Sequence, residues 1–560
     1  MQLSTLAKRG SLVLFIAVAA FYLYGLGHLP LLGPDEPRYA QIAREMFLNR
    51  DPITPTLGGL PWFEKPALLY WMMIASYKLF GVSEWSARLP GAVSGLLTVL
   101  AVFYMGRSVE RRTGREIERS ARGGGLAPPG LGFWCALSAA TTLGIVVFSR
   151  AASFDIIVTM TMTWALAFFL NAELSETAAS RWRYLAGFYI FIGLSLLAKG
   201  LIGIVIPMGV VGLFYVFRRR LPERNVFSSL LWGLPLALAV AAIWYAPVTL
   251  RHGWTFIDHF FIQHQFARYV SNKYRHPAPV YFYLLVLFPL SLPWTAFLID
   301  EFGKARRWHW RANNEAGVAA DTLVVLAFAW MLVPLVFFSF STSKLPGYIL
   351  PVLPAAALIS GRRLTQLASD SQAGRWAMRL TAAFSLLLAV AVPLYAWRSG
   401  QPSIECALII AVLLGVAGCF GLLLPLRRAL SMLLIAGATL AVVVVALHCW
   451  APQPVERQTA KLLLQAADAR GYSQAAIYGL QRDDRTPEFY ASGRVAYASD
   501  GEPVMYEGPW PVITESRRRK QPLLVFVPLK EVNQLTGLDA AHTEVIGSNG
   551  RVAMVAVTAK

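Results

Sequence analysis

Gly33-Pro34-Asp35-Glu36-Pro37-Arg38-Tyr39 follows directly on the first long apolar run of the chain. It sets two adjacent carboxylates, an arginine and a tyrosine at the edge of a segment fit to cross a bilayer. A carboxylate is costly there unless it has a partner or a task. Pro34 and Pro37 bracket the pair and are expected to hold the backbone out of helix until about Tyr39, with a helix from there to Leu48. The stretch reads as the carrier of the chemistry, and most of the remaining chain as the means of bringing lipid to it.

Composition agrees with a membrane setting. Hydrophobic residues make up 56% of the chain and charged residues 15%. Apolar runs of roughly 17–22 residues recur along the first 450 positions, the signature of a polytopic helical membrane protein. The first run, with Lys8 and Arg9 before it, is too long for the core of a cleaved signal and leads into Leu31-Leu32, so it reads as a retained helix. The formal net charge is +19. In a soluble chain that balance would point to nucleic acid. Here it reads as basic cytoplasmic loops and attraction to anionic membrane lipid, with no nucleic-acid partner. Cys135, Cys406, Cys419 and Cys449 lie in or beside apolar runs without metal spacing and are expected to be free thiols.

The hydropathy gives about thirteen spans, at roughly 10–29, 88–106, 131–149, 156–172, 184–198, 201–217, 228–249, 280–299, 321–340, 346–361, 376–396, 403–424 and 430–449. Basic residues test the count. Arg107, Arg111 and Arg112 follow the second span, Arg181 and Arg183 the fourth, and Arg218, Arg219 and Arg220 the sixth. Lys304, Arg306 and Arg307 follow the eighth, Arg362 and Arg363 the tenth, and Arg427 and Arg428 the twelfth. Every even-numbered exit is basic, which places those loops and the N-terminus in the cytoplasm. The run Ala67 to Gly81 is too short to span and would reverse this parity. It is expected as an external juxtamembrane helix held at the interface by Trp62, Tyr70, Trp71 and Tyr77.

The residues that call for a task then collect on the external side. The first external loop, 31–88, holds Asp35, Glu36, Arg38, Tyr39, Glu64 and Lys65. Asp35 and Glu36 are the candidate catalytic carboxylates, Asp35 in the site and Glu36 in support; the plainer alternative is helix capping. Lys65 can meet a phosphate as a point charge, or simply pair with Glu64. Asp155 can lock a helical hairpin through Arg150 or serve the site. Lys199 and Gly200 form a tight external turn. The loop 250–279 holds His264 and Arg268, one helical turn apart and able to share a phosphate. Lys344 and Tyr348 flank Leu345-Pro346-Gly347, as interface anchors or as a phosphate clamp. Glu64 and His264 are the candidate ligands for a divalent metal such as zinc, although no cofactor is required by the expected chemistry. No Walker A or GxGxxG pattern occurs, which argues against a nucleotide-driven pump or a nucleotide-bound donor.

Residues 1–451 thus read as a transmembrane catalytic domain and residues 452–560 as a small external α/β domain. Short buried strands are expected at Ala475–Leu480, Arg494–Ala498, Pro522–Leu529 and Arg551–Val557, helical pieces near Thr459–Ala469 and Leu529–Leu535, and an exposed loop at Arg517-Arg518-Arg519-Lys520.

Four stretches in order carry a resemblance: the Gly33–Tyr39 signature, Trp62-Phe63-Glu64-Lys65-Pro66-Ala67-Leu68, Ser153-Phe154-Asp155, and Lys344-Leu345-Pro346-Gly347-Tyr348-Ile349-Leu350-Pro351. Together they resemble the polyprenyl-phosphate glycosyltransferases of the C-type (GT-C) superfamily, in the branch of the protein mannosyltransferases and aminoarabinose transferases. The last stretch is particularly similar to the bacterial transferases that move 4-amino-4-deoxy-L-arabinose from undecaprenyl phosphate onto lipid A, a modification behind polymyxin resistance.

The resemblance implies thirteen spans and an external C-terminal domain. It also implies a monomer in the bacterial inner membrane with its active site facing the periplasm. It makes Asp35 the catalytic carboxylate, with Glu36, Arg38 and Tyr39 in the same motif. It puts Lys65 and Tyr348 on the carrier phosphate and makes Arg268 the family's loop arginine, while Ile262-Gln263-His264 departs from the usual Glu-His pattern. The implied reaction is a single displacement at the anomeric carbon, with Lys65, Arg268 and Lys344 neutralising the departing phosphate. Two rivals stand beside it: a polyprenyl-phosphate hexose transferase acting on protein or another glycolipid, and a lipid-linked sugar flippase. A flippase would place its ionisable groups near the midplane in repeated, broken helices. Here the charges lie at one edge.

Overall fold

The computed structural model describes residues 15–120, 130–266, 278–308, 310, 318–369, 372–423, 428–482 and 484–560. Seven helices among them are long and apolar enough to cross a membrane: Glu84–Gly114, Phe154–Glu173, Arg224–Gln263, Ala319–Ser339, Arg375–Ser399, Ile404–Leu422 and Arg428–Cys449. The other expected spans fall on helices that are shorter, interrupted or more polar. These are 15–23, the pair Leu131–Thr141 and Leu143–Phe148, Ala178–Lys199, Ile202–Arg218, the pair Phe282–Leu290 and Thr295–Phe302, and a 3-10 turn, Pro346–Val352, running into Leu353–Ser369. The apolar stretch after Ala67 is a separate helix, Leu68–Phe80. The chain is a polytopic helical membrane protein with a small sheet near its C-terminus.

Contacts along the chain define two compact units. The first comprises Met1–Tyr24, Glu64–Leu69 and Gly91–Ala446. It is a helical bundle with interior packing such as Trp134, Trp294, Phe297, Leu364 and Met432. Leu387, Val390 and Val412 stand exposed on its long helices, a distribution that suits lipid rather than water.

Ion pairs in this unit tie together the exits of even-numbered spans. Arg112 pairs with Glu176, Arg181 with Glu223 and Arg220 with Glu173, joining the exits of spans two, four and six. Arg363 pairs with Asp300 and Arg362 with Glu301, joining eight and ten. Arg428 donates to the Leu367 carbonyl at 3.4 Å, joining ten and twelve. Ends that touch lie on one side of a membrane, so the parity read from the basic residues has a geometric counterpart. The cysteines depart from expectation: Cys135 and Cys419 are free, but Cys406 and Cys449 are disulfide-bonded. Both stand at helix ends that the span count puts outside.

The second unit comprises Gly25–Phe63, Tyr70–Pro90 and Leu447–Lys560. It holds a two-stranded hairpin, β1 (Thr56–Leu57) and β2 (Leu60–Pro61). It also holds a five-stranded sheet of β3 (Ala476–Leu480), β4 (Met505–Tyr506), β5 (Leu523–Pro528), β6 (Ala541–Ser548) and β7 (Val552–Ala559). Their order is β4-β3-β5-β7-β6, with β3 parallel to β4 and β5, and β7 antiparallel to β5 and β6. Leu524, Phe526 and Met554 pack with Leu463 and Leu464 of helix Lys461–Ala469. Leu523, Val525 and Val555 pack with Val512 and Ile513 of helix Pro509–Arg519. Both faces of the central strands are covered, which is why their sequences are continuous apolar runs.

Several expectations in this segment need correction. Residues 494–498 form only isolated bridges, Ile477 to Val495 and Tyr497 to Pro503, because Gly493 and Gly501 turn the chain away on either side. Arg517, Arg518 and Arg519 are the last turn of a helix, with Arg518 and Arg519 paired to Glu515, rather than an open loop.

Candidate active site

In the second unit, the signature stretch opens a helix that begins at Asp35 and runs to Leu48, four residues earlier than expected. Pro37 falls in the first turn, where a missing N–H costs nothing, and Asp35 and Glu36 favour the positive end of the helix dipole. No side chain caps the helix, so capping does not account for either carboxylate.

Their surroundings separate them. Glu36 is buried against Arg88, which donates to both of its carboxylate oxygens at 3.1 and 2.7 Å. Arg88 also donates to the carbonyls of Leu26, Leu29 and Pro30 at 2.6–2.8 Å, and Glu36 accepts from the Leu32 N–H. This carboxylate holds the loop in shape. Asp35 pairs with Arg38 at 2.5 Å, and its side chain is 57% exposed. The Arg38 guanidinium lies over the rings of Tyr39 and Trp62, at 5.3 and 5.7 Å. Tyr39 itself is buried.

The same unit clasps this helix with residues from the C-terminal segment. Leu31 N–H donates to the Tyr490 hydroxyl at 2.6 Å, and Arg44 donates to the Phe489 carbonyl and the Ser492 hydroxyl. Arg485 lies over Trp62 at 5.1 Å, and pairs with Glu488 at 3.0 Å and with Glu502. Glu488 is buried, and desolvation raises its carboxyl to about 7 against the pull of Arg485 and Arg38.

The helical unit holds a second group. Asp155 stands in the first turn of helix Phe154–Glu173, capped by Ser153, and pairs with Lys199 at the end of helix Ala178–Lys199. The Lys199 ammonium also lies 4.8 Å from the centre of the Tyr348 ring. The expected Asp155–Arg150 lock is absent from this pairing. Arg150 instead donates to the carbonyls of Phe21 and Tyr24 and stacks on Phe21. Gly347 permits the arrangement: a β-carbon there would collide with the Asp155 carboxylate. Lys344 is buried and donates to the Ser341 carbonyl at 2.6 Å. Lys65 pairs with Glu64 at 2.7 Å, the local pair that the sequence left open.

The structure therefore gathers Asp35, Glu36, Arg38 and Tyr39 in one unit, and Asp155, Lys199 and Tyr348 with one another in the other. Arg268 and the side chain of His264 lie outside the described residues. Among the described residues no three His, Cys, Asp or Glu side chains gather as a metal site. Sequence reasoning missed Arg88, although an arginine at the external entrance of a span, against the basic-inside pattern, was a usable signal. It also missed Arg485, which nothing in its local sequence marks.

A family model described as dolichyl-phosphate-mannose-protein mannosyltransferase matches residues 64–115. An undecaprenyl phosphate-alpha-4-amino-4-deoxy-L-arabinose arabinosyl transferase 2 from Pseudomonas fluorescens (strain Pf0-1) is 32% identical over 396 residues, which are 68% of this chain and 64% of that protein. An arabinosyl transferase of the same description from Pseudomonas aeruginosa (strain UCBPP-PA14) is 31% identical over 359 residues, 63% of this chain and 59% of its own length. The chain thus spans less than two thirds of the length of these curated relatives. The crystal structure of ArnT from Cupriavidus metallidurans bound to undecaprenyl phosphate matches with a TM-score of 0.79 at 24% identity, over 98% of both chains. The apo state of the same protein gives 0.78.

Proposed function

We infer that this chain, a homologue of the undecaprenyl-phosphate aminoarabinose transferases that shares the fold of ArnT, is itself a membrane glycosyltransferase. Its proposed reaction moves 4-amino-4-deoxy-L-arabinose from undecaprenyl phosphate to a phosphate of lipid A. The product carries a new cationic group, which lowers the negative charge that polymyxin and other cationic peptides bind.

The observation that supports this reading best is the difference among the signature carboxylates. All four carboxylates pair with a cation, but the side chains of Glu36, Glu64 and Asp155 are 9%, 6% and 19% exposed, while that of Asp35, paired with Arg38, is 57% exposed. Asp35 is the carboxylate available to a substrate. In the proposed step an acceptor phosphate oxygen attacks the anomeric carbon of the donor sugar. The bond from that carbon to the carrier phosphate breaks, and undecaprenyl phosphate departs with the bonding electrons. The acceptor is already ionised near neutral pH, so Asp35 orients it or stabilises the positive charge developing on the sugar. Lys65, Lys199, Arg268 and Lys344 supply positive charge for the donor phosphate, and Tyr348 holds Lys199 in place. The displacement uses no cofactor, and Glu64 serves as the partner of Lys65.

The proposed setting is the bacterial inner membrane, as a monomer with its active face in the periplasm. The oxidised Cys406 and Cys449 support this orientation, because disulfides persist in oxidising compartments and both cysteines stand at expected outer ends. The test is mass spectrometry of lipid A from a host lacking its own transferase, with the wild-type chain and Asp35→Asn. A pentosamine-sized increase that the variant loses is expected. Unmodified lipid A with well-folded protein would overturn the acceptor and favour a hexose or protein glycosylation reaction.

A further inference from the structure

One side chain of the C-terminal segment shares an aromatic ring with the proposed site. Arg485 lies over the Trp62 ring, and so does Arg38, the residue that holds Asp35. Trp62 is therefore a shared platform between the signature helix and the segment 484–502, all within one compact unit.

Arg485 is built in. Its side chain is 9% exposed and is fixed by ion pairs to Glu488 and Glu502. Gly501 also brings the chain against this ring system: a β-carbon there would sit 3.2 Å from Trp62 Cζ3. Tyr497 packs more closely still on Gly58, where a β-carbon would collide with its ring, in the hairpin turn just before Trp62. By contrast, Asp35 is exposed and has Arg38 as its tether. A carboxylate at the surface of a helix takes its orientation from such a tether, and the tether lies against the rings of Tyr39 and Trp62, of which Trp62 is the one that Arg485 also reaches.

We propose that Arg485 is a positioning residue for the transfer reaction: by holding Trp62 it sets Arg38, and through Arg38 the orientation of Asp35. This rests on the reading of Asp35 given above. The segment 484–502 is then part of the catalytic apparatus, although it touches no reacting atom.

The test is steady-state transfer from the undecaprenyl-phosphate sugar to lipid A by purified full-length protein. The variants are Arg485→Ala, Arg485→Lys, Trp62→Leu and the double variant Arg485→Ala with Trp62→Leu. Misorientation of a reacting group by about 1 Å costs on the order of 100-fold, so Arg485→Ala should lower kcat about 10- to 100-fold and leave KM for both substrates nearly unchanged. Arg485→Lys, which keeps a cation at the ring, should recover most of the loss. The double variant should be no slower than Trp62→Leu alone, because both act along one path. Wild-type kcat in Arg485→Ala, a raised KM with kcat intact, or additive losses in the double variant would each overturn the proposal. Where Arg485→Ala does not fold, Arg485→Lys and Trp62→Leu decide it: Trp62→Leu must lower kcat, and adding Arg485→Lys must not deepen the loss. Wild-type protein that transfers no sugar overturns the functional reading itself, and this role with it.

Discussion

Replacing Glu36 should damage stability, whereas replacing Asp35 should damage only catalysis. The two carboxylates are neighbours, yet Glu36 and Arg88 form a pair with side chains 9% and 4% exposed. Arg88 places five hydrogen bonds: two on Glu36 and one each on Leu26, Leu29 and Pro30. Removing one partner of such a buried pair leaves a charge without compensation and costs about 3–5 kcal/mol. For a unit of this size each kcal/mol is roughly 2–4 °C, so Glu36→Gln should lower the melting midpoint of the full-length protein in detergent by roughly 6–20 °C. Arg88→Met should cost at least as much, since it also strands the three carbonyls. The double variant should cost less than the sum, with a coupling of about 2 kcal/mol. Asp35→Asn should leave the midpoint within about 1–2 °C of wild type and abolish transfer. Fluorescence-detected melting, with transfer assayed well below every midpoint, separates the two. A Glu36→Gln protein of wild-type stability that had lost transfer would refute the division of roles and return Glu36 to the chemistry.

Three further outcomes are expected. Lys199→Met should weaken donor binding and leave Asp155 as an uncompensated carboxylate, and Asp155→Asn in the same chain should recover stability but not donor affinity; recovery of both would show the pair to be purely structural. Gly347→Ala should displace Asp155 from Lys199 and lower donor affinity by about 10-fold or more, as measured by titration with undecaprenyl phosphate; unchanged binding would refute the close approach. For Glu488, whose carboxyl stands near 7 in the folded protein against 4.5 as its ordinary value, the sign is opposite to that of a paired surface acid. The two states bind protons equally below pH 4.5; from there to pH 7 the folded state keeps the proton that the unfolded state has released, so folding loses stability as pH rises, by on the order of 3 kcal/mol above pH 7. Glu488→Gln should therefore gain melting midpoint relative to wild type between pH 5 and pH 8. A difference that stays flat, or falls, would refute the burial penalty.

Most of the membrane architecture was legible because it depends on composition over long windows. Helices of the described residues coincide with the expected spans, and the ion pairs between even exits follow from the basic residues that marked those exits. What escaped was pairing at long range. Asp155 chose Lys199, 44 positions away, over Arg150 at close sequence distance, because the packing of two helix ends decides it and no local pattern records that. β6 escaped because it is an edge strand with half of its residues exposed and a bulge between Val545 and Gly547, so its residues show neither a continuous apolar run nor clean alternation. The start of the signature helix was misplaced because Pro37 was read as a breaker when it sits in a first turn. In the candidate site the residue types and the preference for Asp35 over Glu36 were already readable, but their physical ground was not: the Arg88 that buries and pairs Glu36 stands 52 positions away.

The contacts of the signature helix with residues 484–502 also set an order of events during synthesis. The helix leaves the ribosome early, but Arg485 and Tyr490 follow some 450 residues later. At roughly 5–20 residues per second, that interval is on the order of 20–90 s. Throughout it, Arg44, Trp62 and the Leu31 N–H lack partners that they have in the finished protein. A ribosome that stalls anywhere in the bundle therefore releases a protein inserted in the membrane with its catalytic loop unclasped. On the proposed function such a fragment should transfer no sugar, and with that loop unclasped it should be more open to proteolysis.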